Sequence, residues 1–226
     1  MNANIRKAAI CEIVVADDAD SWRSAGFAVS VAGIAHVGSV RLKFAGREQH
    51  PNGGIVSWAV RGIATADDLD GLATEVVDMD AETRNDGEPL VTTKHPNTST
   101  SIDHVVVSTP DIDRTIAAFV AVGMEPRRER AGGSKTMPLR QVFLRMGEVI
   151  IEVVGPPVVP DDPAVRARPA AFWGLAFSCS DIDGCAAMLG QVGMGTVREA
   201  VQPGRRIGSL RHEHFGISVP TVFMTE

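Results

Sequence analysis

Two similar stretches of sequence occur in this chain. They read DHVVVSTPDIDRTIAAFVAVGM in residues 103–124 and WGLAFSCSDIDGCAAMLGQVGM in residues 173–194, so the two copies align without a gap at a spacing of 70 residues. The alignment places Ser108 over Ser178 and the Asp-Ile-Asp triplet at 111–113 over the triplet at 181–183. A repeat of this kind predicts two copies of one supersecondary unit.

Each copy predicts a strand, a turn and a helix in that order. The Val- and Phe-rich runs end at Ser-Thr-Pro or Ser-Cys-Ser, the following Asp suits a helix N-cap, and Gly123 and Gly193 lie where a helix stops. Three more strands complete each copy, at 124–130, 137–146 and 148–154 in the first and at 196–202, 206–214 and 218–225 in the second. Each copy is therefore a βαβββ module, and the Pro-rich residues 155–163 link the two.

These modules predict an α+β fold. The sheet of one module has an uncovered face, so two modules, at 101–157 and 168–226, are expected to pair into curved mixed sheets around a cavity within a domain of residues 96–226. Residues 1–95 are interpreted as a degenerate half of the same type, since 56–77 repeat the order strand, turn, Asp-Leu-Asp and helix. Residues 78–101 are polar and rich in turn formers, which predicts a loop or linker.

Composition narrows the classes of function. The formal net charge is −6, and the basic residues are scattered, which argues against a nucleic-acid partner. No apolar run approaches the 18 or so residues of a membrane span, and the first residues lack a signal-like apolar region, so we expect a cytoplasmic protein. Three cysteines are an odd number without a metal-binding or redox spacing, and we expect them to be reduced.

The segments IDHVVVSTPDIDRTIAAF and GEVIIEVVGP resemble a module of the vicinal oxygen chelate superfamily, which includes glyoxalases, epimerases, extradiol dioxygenases and bleomycin-resistance proteins. The resemblance implies a first-strand ligand, here His104, and a last-strand ligand, here Glu152, for one divalent ion such as Zn, Ni, Mn, Fe or Co. It further implies a lyase or isomerase acting on a small oxygenated molecule through an enolate-type intermediate. Such proteins often pair modules between chains, which implies a homodimer.

The second copy departs from that pattern. The positions 70 residues after His104 and Glu152 are Gly174 and Val222, neither of which offers a ligand side chain. This departure favours an alternative function, a metal-free protein that binds a small, antibiotic-like molecule as bleomycin-resistance proteins do. Glu152 interrupts the apolar run VIIEVV, and either a metal ion or a pair with His104 or an arginine would compensate its burial.

Further candidates remain open at this stage. His212 and His214 are expected on one face of the strand at 206–214, and with Trp173 they are candidate substrate-binding residues. The alternatives are a solvated strand face for the two histidines and a packing role for the tryptophan. In the N-terminal half Glu12 and Lys43 stand at the analogous ligand places, where they would form an ion pair.

Overall fold

The structure is a computed structural model that describes residues 8–64, 66, 68–77 and 94–226. Most of the linker predicted at 78–101, namely residues 78–93, lies outside the described residues. The described part contains four α-helices: α1 (Ala19–Ser24), α2 (Ile112–Ala121), α3 (Pro163–Arg166) and α4 (Ile182–Gly193).

The described part also contains fourteen strands, β1 (Ala9–Val15), β2 (Ile34–Val37), β3 (Val40–Phe44), β4 (Ile55–Arg61), β5 (Asp68–Leu69), β6 (Leu72–Val76), β7 (Ser99–Ser108), β8 (Pro126–Gly133), β9 (Pro138–Met146), β10 (Val149–Gly155), β11 (Ala171–Cys179), β12 (Arg198–Glu199), β13 (Arg206–Ser209) and β14 (Thr221–Thr225). Parallel and antiparallel neighbours occur in both sheets, and helices are few. The predicted α+β class with mixed sheets is confirmed.

The chain divides into two compact units, and each unit draws on both halves of the sequence. The described residues of unit 1 are 8–11, 57–64, 66, 68–77 and 105–173, and those of unit 2 are 12–56, 94–104 and 174–226. The divisions lie within the strands β1, β4, β7 and β11.

Unit 1 is built around the first βαβββ module. The strands β10, β9 and β8 form an antiparallel meander with the end of β7 beside β10, while β4, β6 and β5 form a second group. One side of the meander carries the buried residues Val142, Leu144, Ile151 and Val153, and α2 packs there with Ile112 beside Gly155 of β10. The opposite side of the meander is free of α2 and carries polar residues.

Unit 2 is built around the second module. Here β11 runs parallel to β14, β13 lies antiparallel to β14, and β12 is antiparallel to β13. The strands β1 and β3 are likewise parallel, with β2 antiparallel to β3. The core of the unit is a cluster of aromatic rings whose neighbouring centroids lie within 6.2 Å of each other, formed by Trp22, Phe27, Phe44, Phe177 and Phe223.

The two repeated helices begin as the sequence predicts. Asp111 accepts a hydrogen bond from the backbone N–H of Arg114 at 3.0 Å, and Asp181 accepts one from Gly184 at 2.8 Å, so each side chain satisfies a backbone donor of the first turn. Gly123 follows the end of α2 with a φ of 91°, a left-handed conformation that suits glycine.

Three expectations about local structure are wrong. Residues 68–77 form the short strands β5 and β6 instead of a helix, because Gly71, with a φ of 93°, makes the chain turn back on itself after Asp70. The strand expected at 196–202 is reduced to β12, Arg198–Glu199. The strand expected at 206–214 ends at Ser209, and a 3-10 helix, His212–Phe215, follows it and stops at the left-handed Gly216.

The cysteines of the described residues are all free thiols, as expected. Burial raises the pKa of the Cys179 thiol to about 11 and that of the Cys185 thiol to about 12, so both stay protonated and behave as small apolar residues. None of the helices that the structure describes combines the length and the apolar composition that crossing a bilayer requires.

Candidate functional site

Strand register brings the polar residues of unit 1 onto one face of the meander. Glu152 on β10 lies opposite Phe143 on β9, which lies opposite Arg128 on β8. Two residues earlier on β9, Gln141 lies opposite Arg130 on β8. Because directly paired residues of an antiparallel sheet share a face, these five side chains share the side of the sheet that α2 does not cover. We call this side of β8–β10 the site face.

A chain of hydrogen bonds connects three residues of the site face. The Nε2 amide of Gln141 donates to Oε1 of Glu152, and the Oε1 of Gln141 accepts from Nε of Arg130 at 2.7 Å. A carboxylate only accepts and a guanidinium only donates, so the amide of Gln141 has a single satisfactory orientation between them. Glu152 is a buried residue, 8% exposed, so its carboxyl group needs donors from the protein such as the Gln141 amide.

Phe143 and Gly132 border the hydrogen-bonded side chains of Arg130, Gln141 and Glu152. The guanidinium carbon of Arg130 lies 5.2 Å from the centroid of the Phe143 ring, a cation–π distance. Gly132 leaves the space that the Gln141 side chain occupies, since a Cβ atom at residue 132 would lie 2.4 Å from Oε1 of Gln141. The side chains of Arg130, Gln141 and Phe143 are each partly accessible, so the site face presents ordered polar groups beside an aromatic ring.

The first predicted ligand, His104, belongs to unit 2 and is held by a charged pair. Its Nδ1 lies 2.8 Å from Oδ1 of Asp103, whose Oδ2 lies 2.8 Å from Nη2 of Arg205. Burial opposes ionisation of Asp103, but the hydrogen bonds from His104 and Arg205 outweigh it and lower the pKa of that carboxyl to about 2. Asp103 is thus an acceptor at neutral pH, which places the proton of a neutral His104 ring on Nδ1.

The counterpart of His104 in the second module is closed to any side chain. A Cβ atom at Gly174 would lie 2.7 Å from the carbonyl oxygen of Pro220, closer than real Cβ contacts come. The counterpart of Glu152 is Val222, which lies on β14 opposite Ala176 and Ser209. Neither position therefore offers a ligand side chain, and at residue 174 the backbone itself fills the ligand place.

The other three predicted residues are His212 and His214 of unit 2 and Trp173 of unit 1. His212 and His214 are on the 3-10 helix, so the prediction of a shared strand face is wrong; Nδ1 of His212 lies 2.8 Å from the carbonyl oxygen of Ile217, and the His214 ring lies 5.0 Å from the Phe215 ring. Trp173 is on β11 and is 56% exposed. Their roles in binding a substrate stay predictions.

The ion pair expected in the N-terminal half has a different partner. Glu12 pairs with Arg41 at 2.8 Å, because Arg41 is the residue directly opposite it in the parallel register of β1 and β3. Lys43 lies opposite Val14 and is exposed. Glu12, at the place analogous to His104, is thus engaged by an arginine.

The donor set does not fit a catalytic divalent ion. One feature does suit a metal ligand, since a metal-bound histidine usually donates its other ring N–H to a carboxylate, as His104 can to Asp103. Catalytic ions, however, are generally held by three protein ligands. Within residues 8–64, 66, 68–77 and 94–226, no group of three or more His, Cys, Asp or Glu side chains converges to hold a metal.

Sequence reasoning missed Arg130 and Gln141. A signal existed in the hairpin register, because Arg130, Gln141 and Glu152 are each separated by 11 residues and the two hairpins of the meander bring such positions side by side. Finding it requires the turns to be placed to within one residue, since a slip of one residue moves a side chain to the other face.

Comparisons with known proteins agree on the fold. Residues 103–209 match the model of the family described as the Glyoxalase/Bleomycin resistance protein/Dioxygenase superfamily. A xylose isomerase-like TIM barrel/4-hydroxyphenylpyruvate dioxygenase fusion protein matches 97% of this chain with a TM-score of 0.61 and 12% identity, and the match spans 49% of that protein. A triple mutant of 4-hydroxymandelate synthase from Streptomyces coelicolor matches 97% of this chain and 93% of its own, with a TM-score of 0.60 and 12% identity.

A smaller structure matches less of the chain. Methylmalonyl-CoA epimerase from Mycobacterium tuberculosis covers 61% of this chain and 93% of its own, with a TM-score of 0.44 and 20% identity. The search of curated proteins found no sequence match. At these identities the likeness to solved structures concerns the fold alone.

Proposed function

Residues 103–209 belong to the glyoxalase/bleomycin resistance protein/dioxygenase superfamily, and from that membership we propose that the chain binds a small molecule on its site face without the help of a metal ion. The superfamily resemblance of the segments IDHVVVSTPDIDRTIAAF and GEVIIEVVGP is thereby confirmed. The proposed activity is that of a metal-free binding protein, the bleomycin-resistance type of function.

One observation carries this proposal, the hydrogen-bonded chain from Arg130 through Gln141 to Glu152. Glu152 is the retained ligand position of the superfamily pattern, and here a carboxamide donates to its carboxyl group. This series of hydrogen-bonded side chains ends in the guanidinium of Arg130, on the partly accessible edge strand β8. Ordered polar groups beside an aromatic ring are what a small-molecule site needs for orientation and for burial of apolar area.

The site face also offers apolar surface to a ligand. Ile150 and Val154 flank Glu152 on the same side of β10. The residues between them, Ile151 and Val153, point to the opposite side, which α2 covers, and are buried. A ligand on this face would cover the ring of Phe143 and these aliphatic side chains, which contributes about 25 cal/mol for each Å² of apolar area removed from water.

A thermal-shift screen in the presence of a chelator tests the proposal. We expect at least one small molecule of a panel that includes glycopeptide antibiotics to raise the melting temperature by the same amount with and without EDTA, since saturation at roughly 100 times Kd adds about 2.7 kcal/mol of stability. The variant Gln141→Leu should lose the shift, and Arg127→Gln, at the irregular position of β8, should keep it.

The opposite result in the same screen would contradict the proposal. Stabilisation that requires added divalent metal and disappears with EDTA would assign the site to metal chemistry. A ligand whose shift is equal in the wild-type protein and in Gln141→Leu would place binding somewhere other than the site face.

A second candidate, a metal-dependent lyase or isomerase, is favoured by the pair of Asp103 and His104. The 2.8 Å contact holds the imidazole in one tautomer, as the ligands of metal enzymes are often held. This function requires at least one more ligand side chain than His104 and Glu152, and the described donor set does not supply it. We therefore rank it below metal-free binding.

A further inference from the structure

The guanidinium of Arg130 is held on two sides before any ligand is present. Its Nε donates to Gln141 at 2.7 Å, and its flat face lies 5.2 Å from the centre of the Phe143 ring. The Gln141 amide is itself fixed by Glu152. A long, flexible arginine side chain normally loses much freedom on binding, and here most of that loss has occurred in the folded protein.

This arrangement leaves one edge of the guanidinium for another molecule. With Nε engaged, the two Nη groups form a planar fork of parallel N–H donors, and within the part of the chain that the structure describes no side chain or carbonyl oxygen forms a hydrogen bond or ion pair with them. Arginine forks of this shape match the two oxygens of a carboxylate.

The charges around the fork favour an anion. Arg128 lies two residues before Arg130 on the same face of β8 and adds a second positive charge. The nearest acidic residue on the strand, Glu129, projects to the opposite face, where it forms an ion pair with Arg140. Glu152 lies on β10, two strands away from β8, and the neutral amide of Gln141 bridges it to Arg130.

We propose that the molecule bound on the site face is an organic carboxylate, and that the Nη edge of Arg130 binds its carboxylate group end-on. Gln141 and Glu152 are positioning residues that act through Arg130. The proposal rests on the proposed function, since it names the ligand class of the same site, and it adds a residue that decides specificity.

The test compares benzoate with its neutral amide, benzamide, by calorimetric titration of the full chain in EDTA. We expect benzoate to bind and benzamide to bind at least tenfold more weakly, because the amide cannot accept two parallel N–H bonds. Arg130→Gln should weaken benzoate binding at least tenfold. Arg130→Lys should weaken it several-fold, because lysine keeps the charge and loses the fork.

The matched control is Arg127→Gln, which makes the same change of charge one position from Arg128 on the same strand and should leave benzoate binding within twofold of the wild-type value. Gln141→Met tests the positioning role by a second readout. In the wild-type protein the Nε–H proton of Arg130 should give a separate NMR signal protected by its hydrogen bond, and that signal should be lost in Gln141→Met while the denaturation midpoint changes little.

Three outcomes would overturn the inference: equal affinities for benzoate and benzamide, benzoate affinity unchanged in Arg130→Gln, or no binding of benzoate at millimolar concentration. Its failure can be distinguished from failure of the proposed function. If a neutral or cationic molecule still stabilises the protein in EDTA and depends on Gln141, the binding function stands and only the ligand class is wrong.

Discussion

Glu152 interrupts the apolar run VIIEVV, and its neighbours explain how a carboxyl group is tolerated there. A buried carboxyl group is costly unless donors surround it, and the amide of Gln141 is one such donor. The same glutamate that suggested a metal ligand in the sequence is therefore the inner end of a hydrogen-bonded chain that reaches Arg130 at the edge strand.

The opposite case at the residue scale is Gly174, where the repeat predicts a ligand and the chain has a glycine. The carbonyl oxygen of Pro220 lies where a side chain would begin, and β11 donates the N–H of Leu175 to that same carbonyl at 3.0 Å. The loss of this ligand is thus built into the backbone of unit 2 and cannot be reversed by a single substitution.

We predict that Gly174→Ala lowers the free energy of unfolding by about 1–3 kcal/mol, because the added methyl group meets backbone that cannot move aside without breaking a hydrogen bond. The control is Gly195→Ala, where the nearest atom to a new Cβ is the carbonyl oxygen of Ser209 at 3.5 Å, an ordinary contact. Urea denaturation measures both. A Gly174→Ala protein as stable as Gly195→Ala would show that the ligand place is open.

At the scale of elements, the sequence predicted more of the first module than of the second. Its strands at 137–146 and 148–154 agree with β9 and β10 to within one residue, because both alternate or bury apolar residues strongly. The strand predicted at 206–214 ends at Ser209, since the alternation in RHEHFG is equally compatible with a 3-10 turn. Register between strands depends on turns that local patterns place only roughly, so the contacts of Arg130 and Gln141 could not be predicted.

Buried polar side chains attach the segment just before β7 to the rest of unit 2. His95 is 2% exposed; its Nδ1 accepts from the N–H of Ala28 at 3.0 Å and its Nε2 donates to the carbonyl oxygen of His36 at 2.9 Å. Asn97 continues the attachment by donating to the carbonyl oxygen of Ala25 at 3.0 Å. The ring of His95 must be neutral to accept at Nδ1, and burial lowers its pKa below the usual value.

We predict that this histidine makes the protein less stable in mild acid. Because the pKa of His95 is lower in the folded than in the unfolded chain, its contribution is complete above about pH 6.5 and declines as the pH falls below that value, by at most about 1.4 kcal/mol per pH unit. Urea denaturation between pH 7.5 and 5.5 should show a smaller pH slope in His95→Gln. The exposed His214→Gln variant is the control, and equal slopes in both variants would refute the assignment.

At the scale of the whole molecule, the superfamily assignment covers residues 103–209, and the remainder is interpreted through topology. The strand β1 is parallel to β3 as β11 is parallel to β14. The strand β2 is antiparallel to β3 as β13 is antiparallel to β14. We propose on this basis that residues 1–95 are a degenerate half of the same type and 96–226 the complete domain. The cavity between modules, the homodimer and the cytoplasmic location stay predictions.

The central claim is the proposal that Glu152, one of the two predicted ligand positions of the first module, organises a metal-free binding face. His104 and Glu152 stand at the predicted ligand positions, whereas Gly174 and Val222 offer no ligand side chain, and the carboxyl group of Glu152 accepts from Gln141. A shared fold does not by itself transmit chemistry, because chemistry depends on the side chains at the site.

Elemental analysis of the purified chain tests that claim most directly. After purification without chelator and dialysis against metal-free buffer, we predict less than about one tenth of an equivalent of Zn, Ni, Mn, Fe or Co per chain, and a melting temperature that EDTA does not change. One equivalent of a divalent metal per chain that disappears in both His104→Ala and Glu152→Ala, with the fold intact, would contradict it.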